Sequence, residues 1–112
     1  MMKLPENHEG PILMLNMVKF KDKQLYFDGY LPAFDRVLAQ LGIEGAGVRQ
    51  ANTVIASLIA DEGEVWDAIV LVEYPDINAF RTVAESDAYR DIAGPLRIAS
   101  VEEWKLFMTI KM

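Results

Sequence analysis

A chain of 112 residues has room for one domain of ordinary size, and 52% hydrophobic with 25% charged residues excludes a disordered or fibrous class. A net charge of -6 argues against a nucleic-acid partner, whose phosphates call for a basic surface. The lack of cysteine removes disulfides, thiolate nucleophiles, iron–sulfur clusters and cysteine-based zinc sites, and fits a cytoplasmic location.

Residues 1–11 read as an N-terminal arm, too polar for a signal peptide and closed by the Gly10-Pro11 turn signal, with one domain expected over 12–112. The chain has no run of about 20 apolar residues, so no membrane span is expected. No repeat at a fixed period and no low-complexity tract is read. Ile12 to Phe20 is an apolar strand interrupted by Asn16. Tyr26, Tyr30, Ala33, Phe34, Val37 and Leu41 then share one helical stripe. Pro32 sits inside that stripe, which predicts a short helical turn followed by a firmer helix from Pro32 to Leu41, with Gly42 as its stop.

Gly45 to Ala60 is rich in β-formers and is predicted as a long strand, joined through Asp61-Glu62-Gly63-Glu64 to a hairpin partner over Val65 to Tyr74. Asp76 is placed to cap a helix carrying Ile77, Phe80 and Val83, and Ser86 to cap a second segment that Gly94-Pro95 interrupts. Glu103 to Lys111 alternates as the last strand, with Trp104, Leu106, Met108 and Ile110 on one side.

The order strand, helix, strand, strand, helix, strand predicts an α+β ferredoxin-like split βαβ sandwich with a four-stranded antiparallel sheet and helices on one face. Period-two alternation assigns the faces. Leu13, Leu15 and Met17 form a purely apolar set suited to lie beneath the helices, which leaves Met14, Asn16, Val18 and Phe20 on the open face. Ala68, Val70, Val72 and Tyr74 likewise go to the helix side, leaving Asp67, Ile69, Leu71 and Glu73 open. Asn16 and Glu73 are thereby expected to share the open face. An apolar patch of Met14, Val18, Phe20, Ile69, Leu71 and Phe107 predicts that two sheets pair face to face, giving a homodimer that closes a dimeric α/β barrel. The face of the second strand is left open, because a bulge would shift its register.

Met14-Leu15-Asn16-Met17-Val18-Lys19-Phe20, the block Trp66-Asp67 through Val72-Glu73-Tyr74-Pro75, and Ser86-Asp87-Ala88-Tyr89 with Arg97 beyond it carry a further signal. In these pieces the chain resembles a small uncharacterised family of the dimeric α/β-barrel superfamily, which also holds antibiotic-biosynthesis-type monooxygenases and muconolactone isomerase. The resemblance implies a ferredoxin-like fold, a homodimer, and a pocket between sheet and helices in each subunit. Some of those monooxygenases place an asparagine, a tryptophan and an arginine around an aromatic substrate without metal or flavin, and this chain offers Asn16, Trp66 and Arg49. The haem-binding branch uses a proximal histidine, whereas the lone His8 lies in the arm.

Each candidate residue is chosen for its chemistry. The Asn16 amide has donors and an acceptor for a substrate carbonyl or oxyanion, the competing reading being an asparagine satisfied by backbone or water. Glu73, among apolar neighbours, is a candidate general base, against an ion pair with Lys19, Arg49 or Arg97. Arg97 and Tyr89 are placed to meet a negative group on a substrate, with Phe20 and Leu71 as apolar wall. Trp66 and Trp104 read first as core or dimer anchors. One histidine and scattered carboxylates give no metal-ligand spacing, and no cofactor is expected. The sequence thus predicts a small homodimeric protein with a pocket for a small apolar or aromatic molecule. It reads as a cofactor-independent monooxygenase or isomerase, the alternative being a non-catalytic ligand-binding or stress-related dimer.

Overall fold

The computed structural model describes residues 3–5 and 7–112, so Met1, Met2 and Glu6 of the expected arm lie outside the described residues. Four strands, β1 (Ile12–Phe20), β2 (Gly47–Thr53), β3 (Ala68–Tyr74) and β4 (Val101–Thr109), pair antiparallel in the order β2-β3-β1-β4. Two helical passages cross one face. The first runs α1 (Lys23–Leu25), a π turn (Tyr26–Tyr30) and α2 (Leu31–Gln40). The second comprises α3 (Ile77–Ala84), a second π turn (Tyr89–Ala93) and α4 (Gly94–Ser100). This is the ferredoxin-like α+β sandwich, with its four-stranded antiparallel sheet covered on one side.

The helix ends obey local hydrogen-bond chemistry. The Asp76 side chain accepts from Ala79 N at 2.7 Å, and Ser86 Oγ accepts from Tyr89 N at 3.0 Å, so both predicted caps satisfy a free amide. At the end of α2, Ile43 N reaches Leu38 O and Gly42 N reaches Ala39 O, while Gly42 takes φ +68°, a left-handed turn that glycine enters without strain. The expected short turn and firmer helix are present as α1 and α2, but Pro32 does not break the passage between them. The preceding turn widens instead: Leu31 N bonds to Tyr26 O five residues back, which makes room for a ring that would clash in an α turn. Gly94 N bonds to Tyr89 O in the same way, immediately before Pro95.

The predicted β2–β3 hairpin is shorter than its β-rich composition. Its ladder ends at Thr53 and Ala68, with one further bond from Val54 N to Asp67 O at 2.9 Å. Beyond that point Ile55, Leu58 and Ile59 are almost wholly exposed. A two-stranded ribbon with no surface to cover is marginal in water, so β propensity alone does not extend the ladder.

Register corrects the expected faces of β1. Asn16 lies opposite Val70 and Leu106, Met14 opposite Val72, and Val18 opposite Ala68 and Trp104. Directly opposed residues point to the same face, and Val70, Val72 and Ala68 are buried beneath the helices. Met14, Asn16 and Val18 therefore face the helices. Phe20 does too, packing its ring 5.0 Å from that of Tyr26. The purely apolar set Leu13, Leu15 and Met17 lies on the open face with Ile69, Leu71, Glu73 and Phe107. The open face remains an apolar patch, with Leu13, Leu15 and Met17 in place of Met14, Val18 and Phe20.

A bulge in β2 at Arg49 settles the strand whose face was left open. Gln50 and Asn52 oppose Leu71 and Ile69 on the open face, while Thr53 opposes Ala68 on the helix side. Val70, fully buried at the centre of the sheet, reports on the whole core. Val70→Ala is expected to cost about 2 kcal/mol in urea unfolding, with the m-value unchanged.

Candidate functional site

Between the helices and the sheet lies an aromatic-rich cavity of about 290 Å³, near the lower end of the ~300–1,000 Å³ range of small-molecule pockets. The sheet supplies Met14 and Asn16 from β1, Val72 and Tyr74 from β3, and Trp104 and Leu106 from β4. Above it, the two π turns and the segments after them contribute Tyr26, Tyr30, Phe34, Tyr89 and Arg97. A π turn adds a residue to a helical turn and so rotates the helix beyond it, which is how both passages aim tyrosines at one space.

The polar groups form two short chains. Tyr30 and Tyr89 meet hydroxyl to hydroxyl at 2.7 Å, joining the two π turns. On the sheet side, Trp104 Nε1 donates to Asn16 Oδ1 at 2.9 Å, while Asn16 Nδ2 donates to Val70 O at 3.1 Å and Met14 O at 3.3 Å. An indole nitrogen only donates, which fixes the orientation of the amide. Both amide hydrogens of Asn16 are thus committed to the backbone. The residue braces Trp104 and keeps one acceptor lone pair, so it lacks the free donor that an oxyanion contact would need. Arg97 lies between the two chains, its guanidinium carbon 5.1 Å from the centre of the Trp104 ring and the group itself beside Tyr89.

Burial pushes the hydroxyls of Tyr26, Tyr30 and Tyr74 well above the ordinary phenol range. Tyr89 also rises through burial, although its bond to Tyr30 and the charge of Arg97 pull the other way. These phenols remain protonated at neutral pH and act as hydrogen-bond groups rather than bases. No Asp, Glu, Lys or His lines the cavity among the described residues, and these residues contain no cluster of three or more potential metal ligands.

Of the six residues chosen in the sequence as catalytic or substrate-binding groups, the structure brings Asn16, Tyr89 and Arg97 to the cavity and leaves Glu73, Phe20 and Leu71 outside its lining. Glu73 sits on the opposite face of the sheet, bound to Arg49 Nε at 2.8 Å, and this corrects the expectation that it shares a wall with Asn16. Leu71 is on that face as well, and Phe20 packs on Tyr26 and Phe27 outside the cavity lining. Trp66 donates to Glu64 and lies under Lys105, which opposes Met17 on the open face, and it does not line the cavity. The asparagine, tryptophan and arginine that do meet are Asn16, Trp104 and Arg97. His8 contacts only Pro11 O in the arm.

Sequence reasoning missed Trp104 as a pocket group and left open which of Tyr26 and Tyr30 reaches the cavity, whose lining includes both. The signal was Tyr26-Phe27-Asp28 with Pro32 and Tyr89-Arg90-Asp91 with Pro95, one spacing of tyrosine, aspartate and proline that occurs in both helical passages. It marks the two π turns.

No family model and no curated protein matches the chain. Solved structures define its class as a ferredoxin-like α+β fold that antibiotic-biosynthesis monooxygenase types also use. A candidate antibiotic biosynthesis monooxygenase from Caulobacter crescentus is similar in fold, at 13% identity and a TM-score of 0.57, over 93% of this chain and 92% of that one. So is a dimeric protein of unknown function from Bacteroides fragilis, at 14% identity and a TM-score of 0.56, over 89% and 95%. In particular, the chain is similar to a protein of unknown function from Rhodopseudomonas palustris, at 27% identity and a TM-score of 0.77, over 94% of this chain and 85% of that one.

The buried hydroxyls and the Trp104 brace each lead to a measurable outcome. The folded phenols hold their protons above the ~10 of an unfolded tyrosine, so above that pH the native state binds more protons than the unfolded one. Their contribution to stability is therefore constant below that point and falls as pH rises past it. All four tyrosines take part, so tyrosinate absorbance should stay absent until circular dichroism shows the fold melting in alkali. Separately, Asn16→Ala in a Trp66→Phe background should shift Trp104 emission to the red and cost about 1–2 kcal/mol in stability.

Proposed function

We propose that the protein is a homodimer whose cavity holds a small apolar or aromatic molecule, and that it acts as a cofactor-independent monooxygenase or isomerase. The observation that carries this reading is the Asn16–Trp104–Arg97 group in the cavity wall. It has the residue types that the monooxygenases resembled by the sequence arrange around aromatic substrates. Tyr30 and Tyr89 add hydroxyls at the mouth of an otherwise oily chamber, so a planar molecule with a polar edge fits both parts. Oxygenation of such a molecule balances without an added reductant. One O2 turns an activated methylene into a carbonyl, its second oxygen atom leaves as water, and the substrate supplies the electrons. The pocket's task is then to hold the substrate dry and oriented.

The open face supports dimerisation. Leu13, Leu15, Met17, Ile69, Leu71 and Phe107 form a continuous apolar surface that a lone copy would leave wet. A second copy covers it sheet to sheet, and the Bacteroides protein of the same fold is described as dimeric. The alternative reading, a non-catalytic ligand-binding dimer, uses the same cavity and the same interface.

Static light scattering at micromolar concentration is expected to give twice the chain mass, and Leu15→Glu, which puts a charge on the open face, is expected to give a monomer. A monomeric native chain would contradict the interface. Ala84→Phe narrows the cavity from its rim and is expected to abolish binding of naphthalene-type dyes with melting temperature retained. Oxygen uptake with an anthrone such as dithranol, in chelator-treated protein, separates the readings. Uptake above the uncatalysed rate that Ala84→Phe removes supports the enzyme, and dye binding without any uptake supports the ligand-binding dimer.

A further inference from the structure

Arg97 is the one formally charged side chain that lines the cavity among the described residues. Its other neighbours there are Tyr89 and Tyr30 from the π turns, Trp104 from β4 and Asn16 from β1, none of which carries a charge at neutral pH. No carboxylate among the described residues lies within ion-pair distance of it. Its Nε is buried and has no hydrogen-bond partner. Stacking on Trp104 compensates part of the charge, but a ring face accepts no N–H bond. A part-buried arginine with a buried donor unanswered is a group prepared for an acceptor that the described residues do not supply.

The tyrosine pair points the same way. When one of two phenols donates to the other, the second keeps its own proton for a third group. Apart from Arg97 beside Tyr89, which can only donate, no other side chain or backbone group partners the two hydroxyls. One O–H and one guanidinium N–H thus remain uncommitted beside the cavity, and the wall around them contains no carboxylate to repel negative charge.

We infer that the cavity's ligand is bound as a singly charged oxyanion on an aromatic or apolar body, with Arg97 as its counter-ion and the Tyr30–Tyr89 pair as its hydrogen-bond donor. A carboxylate, a phenolate and an enolate share this chemistry. The inference rests on the cavity being a ligand site, as proposed above, and adds the charge state that the site selects. A free cation in a chamber of about 290 Å³ sets specificity sharply, because a neutral ligand of the same shape leaves the guanidinium unanswered.

4-Nitrophenol and its neutral analogue 4-nitroanisole test this, since they differ by one methyl group and the phenolate is yellow. The native protein is expected to bind 4-nitrophenol roughly tenfold or more tightly than 4-nitroanisole at neutral pH. It should also turn the bound dye yellow at a pH about one unit below that at which the free dye colours. Arg97→Gln should remove both the preference and the colour shift while 4-nitroanisole still binds. Arg97→Lys should keep part of the colour shift, which a purely structural Arg97 would not explain. Equal affinity for the two dyes, or a colour shift that survives Arg97→Gln, would overturn the inference and leave the cavity as a neutral-ligand site. Failure of both dyes to bind the native protein would overturn the inference together with the cavity's assignment as a ligand site.

Discussion

The hydroxyl-to-hydroxyl bond between Tyr30 and Tyr89 is the contact on which the site depends. Each tyrosine lies in its own π turn, and each π turn ends shortly before a proline that an ordinary helix would reject. The bond spans the two helical passages at 2.7 Å, where burial makes a lost partner expensive. Gly29 sits in the first π turn beside its own passage and the second one. A Cβ there would meet Leu25 Cδ1 at 2.9 Å and lie 3.7 Å from Leu96 Cδ2 in α4. Backbone irregularity and one polar contact therefore describe a single device. It props the helices over the sheet and keeps an opening between them.

The sheet side of the chamber is held differently. Trp104 is partly exposed and sits on β4, an edge strand, where a large ring would otherwise be free to swing. Asn16 on the central strand fixes it, spending its amide hydrogens on β-strand carbonyls to do so. Arg97 then lies over the fixed indole. A polar residue in the middle of an apolar strand thus acts as a brace for the indole on which the cavity's charged group lies. Glu73, the other polar interruption, serves the opposite surface, where its pair with Arg49 secures the bulged edge of β2.

The same residues explain how far the fold could be read in advance. Element order, the Asp76 and Ser86 caps and the Gly42 stop are local features, written in side chains next to the groups they satisfy, and they were legible. The faces of β3 were legible because Glu73 and Asp67 break its alternation. β1 offers no such contrast. Both of its faces are apolar, and alternation cannot tell a surface covered by helices from one that presents an apolar patch. The rule that the purer apolar set lies under the helices fails here because that side lines a chamber, which tolerates Asn16. Tyr89 and Arg97 were chosen as groups near a pocket, and both line the cavity. Trp104 was not, because its role needs the β1–β4 register, a long-range property. The ladder's end at Thr53 was hidden for a similar reason: Ile55 and Ile59 have strand propensity but nothing to pack against.

The two proposals constrain each other through energetics. A pocket with one cation, hydroxyl donors and no base cannot take a proton from its ligand, so the ligand must ionise to solvent on entry or arrive charged. An anion is the form that gives up electrons to oxygen most readily, which suits oxygenation. Arg97 also stabilises that anion, and every increment of ground-state stabilisation makes the bound species a weaker reductant. Fast turnover therefore asks for an intermediate interaction. The geometry has that character: Arg97 is a part-buried residue with its guanidinium stacked on an indole, so its field is softened compared with a fully buried counter-ion. A site built only to retain its ligand would gain from burying Arg97 completely. On the proposed reading, an arginine that is only part-buried suits turnover better than storage.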